Sequence, residues 1–182
     1  MASPANIVQL AYILNPGGLD AALDYWINVM GAGPFYRGEF PLTDQIHKGK
    51  PTGQHAVVAC GYNGEMQIEL IMPLNDEPGP YNDFLAVNPK VPVGGLYHHV
   101  MVEEGDYDAT IARLVANGCK EAFSARNELG ERIAYLESGD VLGGYLEVIE
   151  SEMWPRVCKN MRAARQGWDG KDRPVRGFEE LM

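Results

Sequence analysis

The chain has 182 residues, 46% of them hydrophobic and 22% charged, which is enough for one large or two small globular domains with a sizeable core. A net charge of −10 excludes nucleic acid and anionic membrane as main partners, because both demand a basic surface. No apolar run approaches the ~20 residues needed to span a bilayer.

Residues 6–14 are apolar on both sides of an alternating pattern, so they read as a strand covered on both faces. Asn15-Pro16-Gly17-Gly18 stops it. Leu19, Leu23, Trp26, Ile27 and Met30 then fall on one helix face, and Gly31 and Gly33 end that helix. A short strand follows near 35–40, and the polar, turn-rich stretch 41–53 reads as a loop. Strands return at 55–60 and 65–72, joined at Tyr62-Asn63-Gly64. Five prolines between 73 and 95 mark a linker. The order then repeats. A strand at 96–103 precedes Asp106, a helix cap, and Tyr107, Ile111, Leu114 and Val115 make an apolar helix face that ends at Gly118. Strands are expected near 119–125, 131–137 and 143–150, the last two joined at Ser138-Gly139-Asp140. The implied organisation is a first βαβββ module over 6–74, a linker over 75–95, a second module over 96–150 and a C-terminal arm over 151–182, packed on the barrel or on a second subunit. The three cysteines, Cys60, Cys119 and Cys158, form neither a disulfide framework nor a CxxC metal knuckle. With no basic, then apolar, leader at Met1–Pro4, reduced thiols in a cytoplasmic protein are expected.

Four polar residues interrupt the strands at matching places: Gln9 and Glu69 in the first half, His99 and Glu147 in the second. Side chains alternate across a strand, so Ile68 and Leu70 should face the helix while Gln67, Glu69 and Ile71 face the other way. Glu147 falls likewise opposite Leu146 and Val148. A carboxylate inside a largely apolar concavity is paired, protonated or bound to metal. Neither strand supplies a Lys or Arg, and two carboxylates, one imidazole and one amide oxygen balance a divalent cation. Singly, each residue has a plainer role: a solvent-facing Glu, an edge-strand Gln, a structural His. Together, in equivalent places, they indicate a metal site. Matching His99-Val100-Met101-Val102 to Gln9-Leu10-Ala11-Tyr12 selects His99 over His98.

With Tyr25-Trp26, Gly31-Ala32-Gly33-Pro34-Phe35, Gln67-Ile68-Glu69-Leu70-Ile71 and Gly95-Leu96-Tyr97-His98-His99-Val100, the chain resembles the vicinal-oxygen-chelate superfamily over about residues 6–150, in its glyoxalase-like branch. The resemblance implies an α+β fold in which paired βαβββ modules form a curled, barrel-like mixed sheet with helices outside. It also implies a divalent metal held by Gln9, Glu69, His99 and Glu147, and a homodimer. No glutathione-binding signature accompanies these motifs, so the substrate is not carried over.

An oxygen-rich donor set with one imidazole suits zinc foremost, with nickel, cobalt, manganese, magnesium and iron as other candidates. The expected chemistry is that of an isomerase, epimerase or lyase acting on an apolar or aromatic carbonyl compound through a metal-stabilised enolate, with Glu147 as base, shared with Glu69. Two alternatives stand beside it. Iron-dependent extradiol-type ring cleavage would need a second His where Gln9 stands. A non-catalytic small-molecule binder would line its concavity with Trp26, Phe35, Tyr36, Tyr97, Tyr135 and Met72. His47, Gln54 and His55 flank a loop able to close over a ligand, and Arg126 and Arg132 are candidate partners for a substrate carboxylate. Gly143-Gly144 lacks the pattern of a phosphate cradle and reads as a bulge or packing point.

Overall fold

A computed structural model describes residues 6–88, 96–103, 106–138, 144–150 and 152–182, with the side chains of residues 6 and 96–103 outside that description. In chain order the elements are β1 (Asn6–Ile13), α1 (Leu19–Asn28), β2 (Phe35–Glu39), β3 (Thr43–His47), β4 (Lys50–Pro51), β5 (Ala56–Asn63), β6 (Met66–Pro73) and α2 (Pro80–Val87). Then come β7 (Leu96–Glu103), α3 (Tyr107–Ala116), β8 (Lys120–Arg126), β9 (Arg132–Glu137), β10 (Tyr145–Ile149), α4 (Trp154–Gln166), β11 (Val175–Gly177) and a closing 3-10 turn, Phe178–Leu181.

The strands form one open eleven-stranded sheet in the order β11-β2-β5-β6-β1-β7-β10-β9-β8-β3-β4. Its centre is two sets of four, β2-β5-β6-β1 and β7-β10-β9-β8, joined where β1 and β7 run antiparallel. In each set the first and last strands of a βαβββ module lie side by side in parallel, β1 with β6 and β7 with β10. The register makes the halves equivalent residue by residue. Gln9 pairs with Gln67 and Ala11 with Glu69; His99 pairs with Tyr145 and Met101 with Glu147. Gln9 therefore corresponds to His99, and Glu69 to Glu147.

Alternation sends the two faces of this sheet to different cores. On the outer face, α1 buries Leu19, Ala22 and Leu23 among Ile68, Leu70 and Phe35. In the second module, Leu114 of α3 packs with Ala134, Leu136 and Val148. On the inner face Ala11, Ile13, Val58 and Ile71 cluster with Phe123, Ala125, Ile133 and Tyr135. Strands far apart in the sheet order meet in that cluster only because the sheet curls. Local signals behave as the residues dictate: Asp106 accepts from the Ala109 N–H at 3.0 Å, capping α3. The β5–β6 turn falls one residue later than expected, on Gly64-Glu65, because glycine takes the positive φ (+61°) at its first position.

One segment differs from the sequence expectation, and two others take a defined form. The stretch 41–53, expected as a loop, contains the β3–β4 hairpin, and β3 pairs antiparallel with β8 of the other module. Its pattern is inverted: Gln45 and His47 are buried while Ile46 is exposed, so no apolar alternation announces it. The expected linker carries α2, started by Pro80 at its first turn. The C-terminal arm folds onto its own chain. Val157 and Met161 of α4, with Leu181, cover Tyr36, Cys60 and Tyr62, and β11 adds to the edge beside β2. The expected turn residues Gly139 and Asp140, together with Gly143, lie outside the described residues. Among the described residues no helix is long and apolar enough to cross a membrane.

Candidate active site

The curl of the sheet encloses a cavity of about 290 Å³ lined by residues of both modules. Glu69 from β6 and Glu147 from β10 line it, although three strand spacings separate them in the sheet. The wall between is apolar and aromatic: Phe40, Leu42, Val58, Ile133, Tyr135 and Ile149, closed by Tyr81 of α2 and by Met153 and Trp154 of the C-terminal arm. Among the described residues its lining holds no Lys or Arg, and Glu39 and Glu128 add to its acidity.

Glu147 is only 6% exposed, and its register neighbour on β9 is Tyr135. The Cys60 thiol lies 3.8 Å from Glu69 Oε1, and burial, reinforced by the Glu69 charge, pushes that thiol well up from its ordinary range. Tyr81 and Tyr135, buried in the cavity wall, bring their hydroxyls to 2.6 Å. Burial first, then the negative fields of Glu69 and Glu147, hold both phenols in the protonated form far above neutral pH.

Gln9 is fully buried, two residues before Ala11 on the inner face of β1. Its Nε2 donates to Gln67 Oε1 at 2.8 Å, while its Oε1 has no hydrogen-bond partner among the described residues. The Gln67 amide nitrogen faces sulfur atoms of α4, Cys158 Sγ at 3.7 Å and Met161 Sδ at 3.6 Å. His99 lies on β7 between Ala11 and Tyr145 in the register; its side chain is outside the description. The structure thus brings Glu69 and Glu147 onto one cavity, while Gln9 is buried outside its lining residues. Among the described residues no group of three His, Cys, Asp or Glu converges, as expected when His99 is not among them.

Most of the expected apolar lining falls elsewhere. Trp26, on α1 itself, and Phe35 and Met72, which alternation puts on the outer face of their strands, belong to the core under α1. Tyr36 is covered by α4, leaving Tyr135 as the member of that set in the cavity wall; Tyr97 lies outside the described side chains. Of the loop residues, Gln54 lines the cavity, whereas His47 meets Asp83 at 3.0 Å and His55 meets Glu39 at 3.0 Å. Neither arginine reaches it. Arg132 is held by Asp108 and Glu150, and Arg126 donates to the Gly130 carbonyl. Tyr81, Met153 and Trp154 escaped the sequence reading because they come from segments outside the repeat, where no strand or helix period points inward.

The family profile for the glyoxalase/bleomycin resistance protein/dioxygenase superfamily matches residues 9–135, well over half of the chain. The chain belongs to this superfamily. Members characteristically bind a divalent metal and small-molecule substrates, and many are enzymes. No curated protein sequence matches the chain. Among solved structures, a hypothetical protein, BH1468, from Bacillus halodurans C-125 is similar at a TM-score of 0.55 and 15% identity, over 82% of this chain and 96% of that one. A selenomethionine methylmalonyl-CoA epimerase is similar at 0.51 and 19%, over 82% and 97%. These likenesses establish the shared fold, with the C-terminal arm as an addition past the family match.

Proposed function

We propose that the chain is a divalent-metal-dependent isomerase, epimerase or lyase acting on a small, mostly apolar or aromatic carbonyl compound. The observation that carries this reading is the pair of carboxylates, Glu69 and Glu147, brought from the two modules onto one largely apolar cavity. The donor set fits a cation. Gln9 has its amide nitrogen engaged by Gln67 and its buried amide oxygen still to be satisfied, which is the arrangement an electropositive ligand would complete. Glu69, Glu147 and Gln9, with His99 at the register position equivalent to Gln9, would hold the ion, zinc foremost. When bound, such an ion supplies Lewis-acid stabilisation of negative charge on a carbonyl oxygen.

The chain's own residues do the rest. Glu147, almost fully buried, takes the proton from the carbon beside the carbonyl. Glu69 approaches from the other module, so a proton can be returned on the opposite face or on the next carbon. The apolar walls exclude water and orient the substrate's hydrocarbon part. With four glutamates and, among the described residues, no Lys or Arg in its lining, the cavity disfavours phosphates and coenzyme A thioesters, whose charge would go uncompensated.

The test is elemental analysis of protein purified without chelator, together with solvent deuterium exchange into a panel of cyclic and aromatic ketones followed by NMR. The expected result is about one equivalent of divalent metal per cavity and exchange that Glu147→Gln abolishes while the far-UV circular dichroism stays unchanged. Exchange retained in Glu147→Gln removes it as the base. Metal-free protein that binds the ketones without exchange leaves a binding protein instead.

A further inference from the structure

We infer that Gln54 is the polar anchor of the cavity, its side-chain amide nitrogen donating a hydrogen bond to a neutral oxygen of the bound molecule. The class of ligand rests on the proposed function; the donor rests on geometry of its own, outside the residues that would hold a cation.

Gln54 lines the cavity and is otherwise buried, at 5% exposure. Its amide cannot turn end for end. The Tyr81 N–H, in the first turn of α2, donates to Oε1 at 3.2 Å, and only the oxygen end can accept there. Nε2 is therefore the prong left over. It makes no hydrogen bond among the described residues, and it is not one of the fully enclosed polar atoms left without a partner. The exposure it keeps is toward the cavity that Gln54 lines. A helix cap needs only an acceptor, so the amide brings a donor that the fold does not use. Beside apolar walls, a ligand without an acceptor would leave this donor unpaired, which selects against such a ligand. A neutral oxygen suits it better than an anionic one, because Glu39, Glu69, Glu128 and Glu147 share the lining.

The anchor is also rigidly built. Gln45 Nε2 donates to the Gln54 main-chain carbonyl at 3.0 Å. On either side of Gln54 the chain is stitched to the segment that leads into α2. Asn75 Nδ2 donates to the Gly53 carbonyl at 2.8 Å, and the His55 N–H donates to Asn75 Oδ1 at 3.2 Å. The Leu74 N–H donates to the His55 carbonyl at 2.8 Å, and the Thr52 hydroxyl donates to the Pro78 carbonyl. Gly79 admits the Gln54 amide where a Cβ would collide with it. The donor is thus held in place before a ligand arrives, so little side-chain freedom is lost on binding.

The probe is acetophenone labelled with carbon-13 at the carbonyl, read by isotope-edited infrared difference spectroscopy on the full chain after chelator treatment. In wild-type protein the carbonyl band should saturate with ligand and lie at lower wavenumber than in an apolar solvent. Two variants separate the donor from the cap. In mildly alkaline buffer, where the introduced carboxyl is ionised, Gln54→Glu keeps an oxygen for the Tyr81 N–H but offers the ligand no donor. Gln54→Met loses both. Each should return the band toward its apolar-solvent position and weaken acetophenone binding roughly five-fold, the worth of one neutral hydrogen bond. Only Gln54→Met should also lower the thermal midpoint. A wild-type spectrum without a displaced band, or a displacement that both variants keep, overturns the inference. Binding and displacement lost in Gln54→Met alone make Gln54 a helix cap and overturn it as well. A displacement that appears only when metal is restored, and that neither variant changes, overturns it while leaving the metal-dependent reading intact. A displacement that follows Gln54 in protein that never exchanges solvent deuterium sustains it after that reading has failed.

Discussion

Replacing Gln67 by Leu tests how the site is oriented. Gln67 is 1% exposed and accepts the Gln9 amide at 2.8 Å, while its own nitrogen meets only the sulfurs of Cys158 and Met161 among the described residues. Leucine fills nearly the same volume but strands Gln9 Nε2 in a dry interior. Losing the bond and leaving a buried donor unsatisfied costs about 2 kcal/mol net. In a chain of this size that lowers Tm by roughly 4–8 °C. Gln9→Leu should cost less, because it also removes the buried Oε1 that has no hydrogen-bond partner. The double variant removes all four amide atoms, so its loss should fall short of the sum by about 1–2 kcal/mol. Urea denaturation of the four proteins measures this coupling. Gln67 also decides which end of the Gln9 amide is left for a cation, so Gln67→Leu should weaken divalent-metal affinity roughly ten- to hundred-fold. Additive stability losses would refute the pairing. Wild-type metal affinity in Gln67→Leu would refute the orienting role.

Three further outcomes follow from the packing. The Arg132 guanidinium holds the Glu150 carboxyl down at about 2, well below the usual carboxylate range, so the pair supports the fold above the ordinary carboxylate pKa and is lost as pH falls toward 2. Carboxyl carbon-13 NMR should show this low midpoint, and Arg132→Gln should restore an ordinary one; an unchanged midpoint would discount the pair. Met161, the fully buried residue of α4 through which the arm packs on Cys60 and Tyr62, should cost about 2–5 kcal/mol on replacement by alanine, measured by urea denaturation. A loss under about 0.5 kcal/mol, the scale of surface changes, would mean the arm is not docked. Asp106→Ala removes the cap of α3 and should cost about 1 kcal/mol, with no loss of ketone binding because α3 packs on the outer face.

The duplicated modules were legible because their strands and helices carry clear periods with apolar residues on the buried side. Alternation alone sent Glu69 and Gln67 away from Ile68 and Leu70, and the cavity and the α1 core divide these side chains the same way. What stayed illegible has a common physical cause: elements whose buried side chains are polar or whose ordering depends on distant partners. β3 buries Gln45 and His47, which Leu42, Gln54 and Asp83 satisfy only after folding. α2 is short and proline-led, and it is held by contacts from residues 47, 48 and 54 that no local pattern reveals. Met72 was misread as lining for a simpler reason: counted from Glu69, it falls on the opposite face.

The near-symmetry of the halves also explains where the cavity lies. Gln67 and Tyr145 occupy equivalent register positions, beside Gln9 and His99 respectively. In the first module α4 descends on the inner face and seals Gln67, Cys60 and Tyr62 beneath Val157 and Met161. Among the described residues no helix equivalent to α4 covers Tyr145, which is half-buried beside Tyr135. The arm therefore breaks a symmetry that the modules alone would keep. It closes the space over Gln9 and Gln67 and leaves the open volume between Glu69 and Glu147, walled by its own Met153 and Trp154. Those two residues belong to the arm, outside the two βαβββ modules that carry Glu69 and Glu147. Under the proposed function, selectivity among carbonyl compounds should therefore follow the arm, and proton transfer the two glutamates.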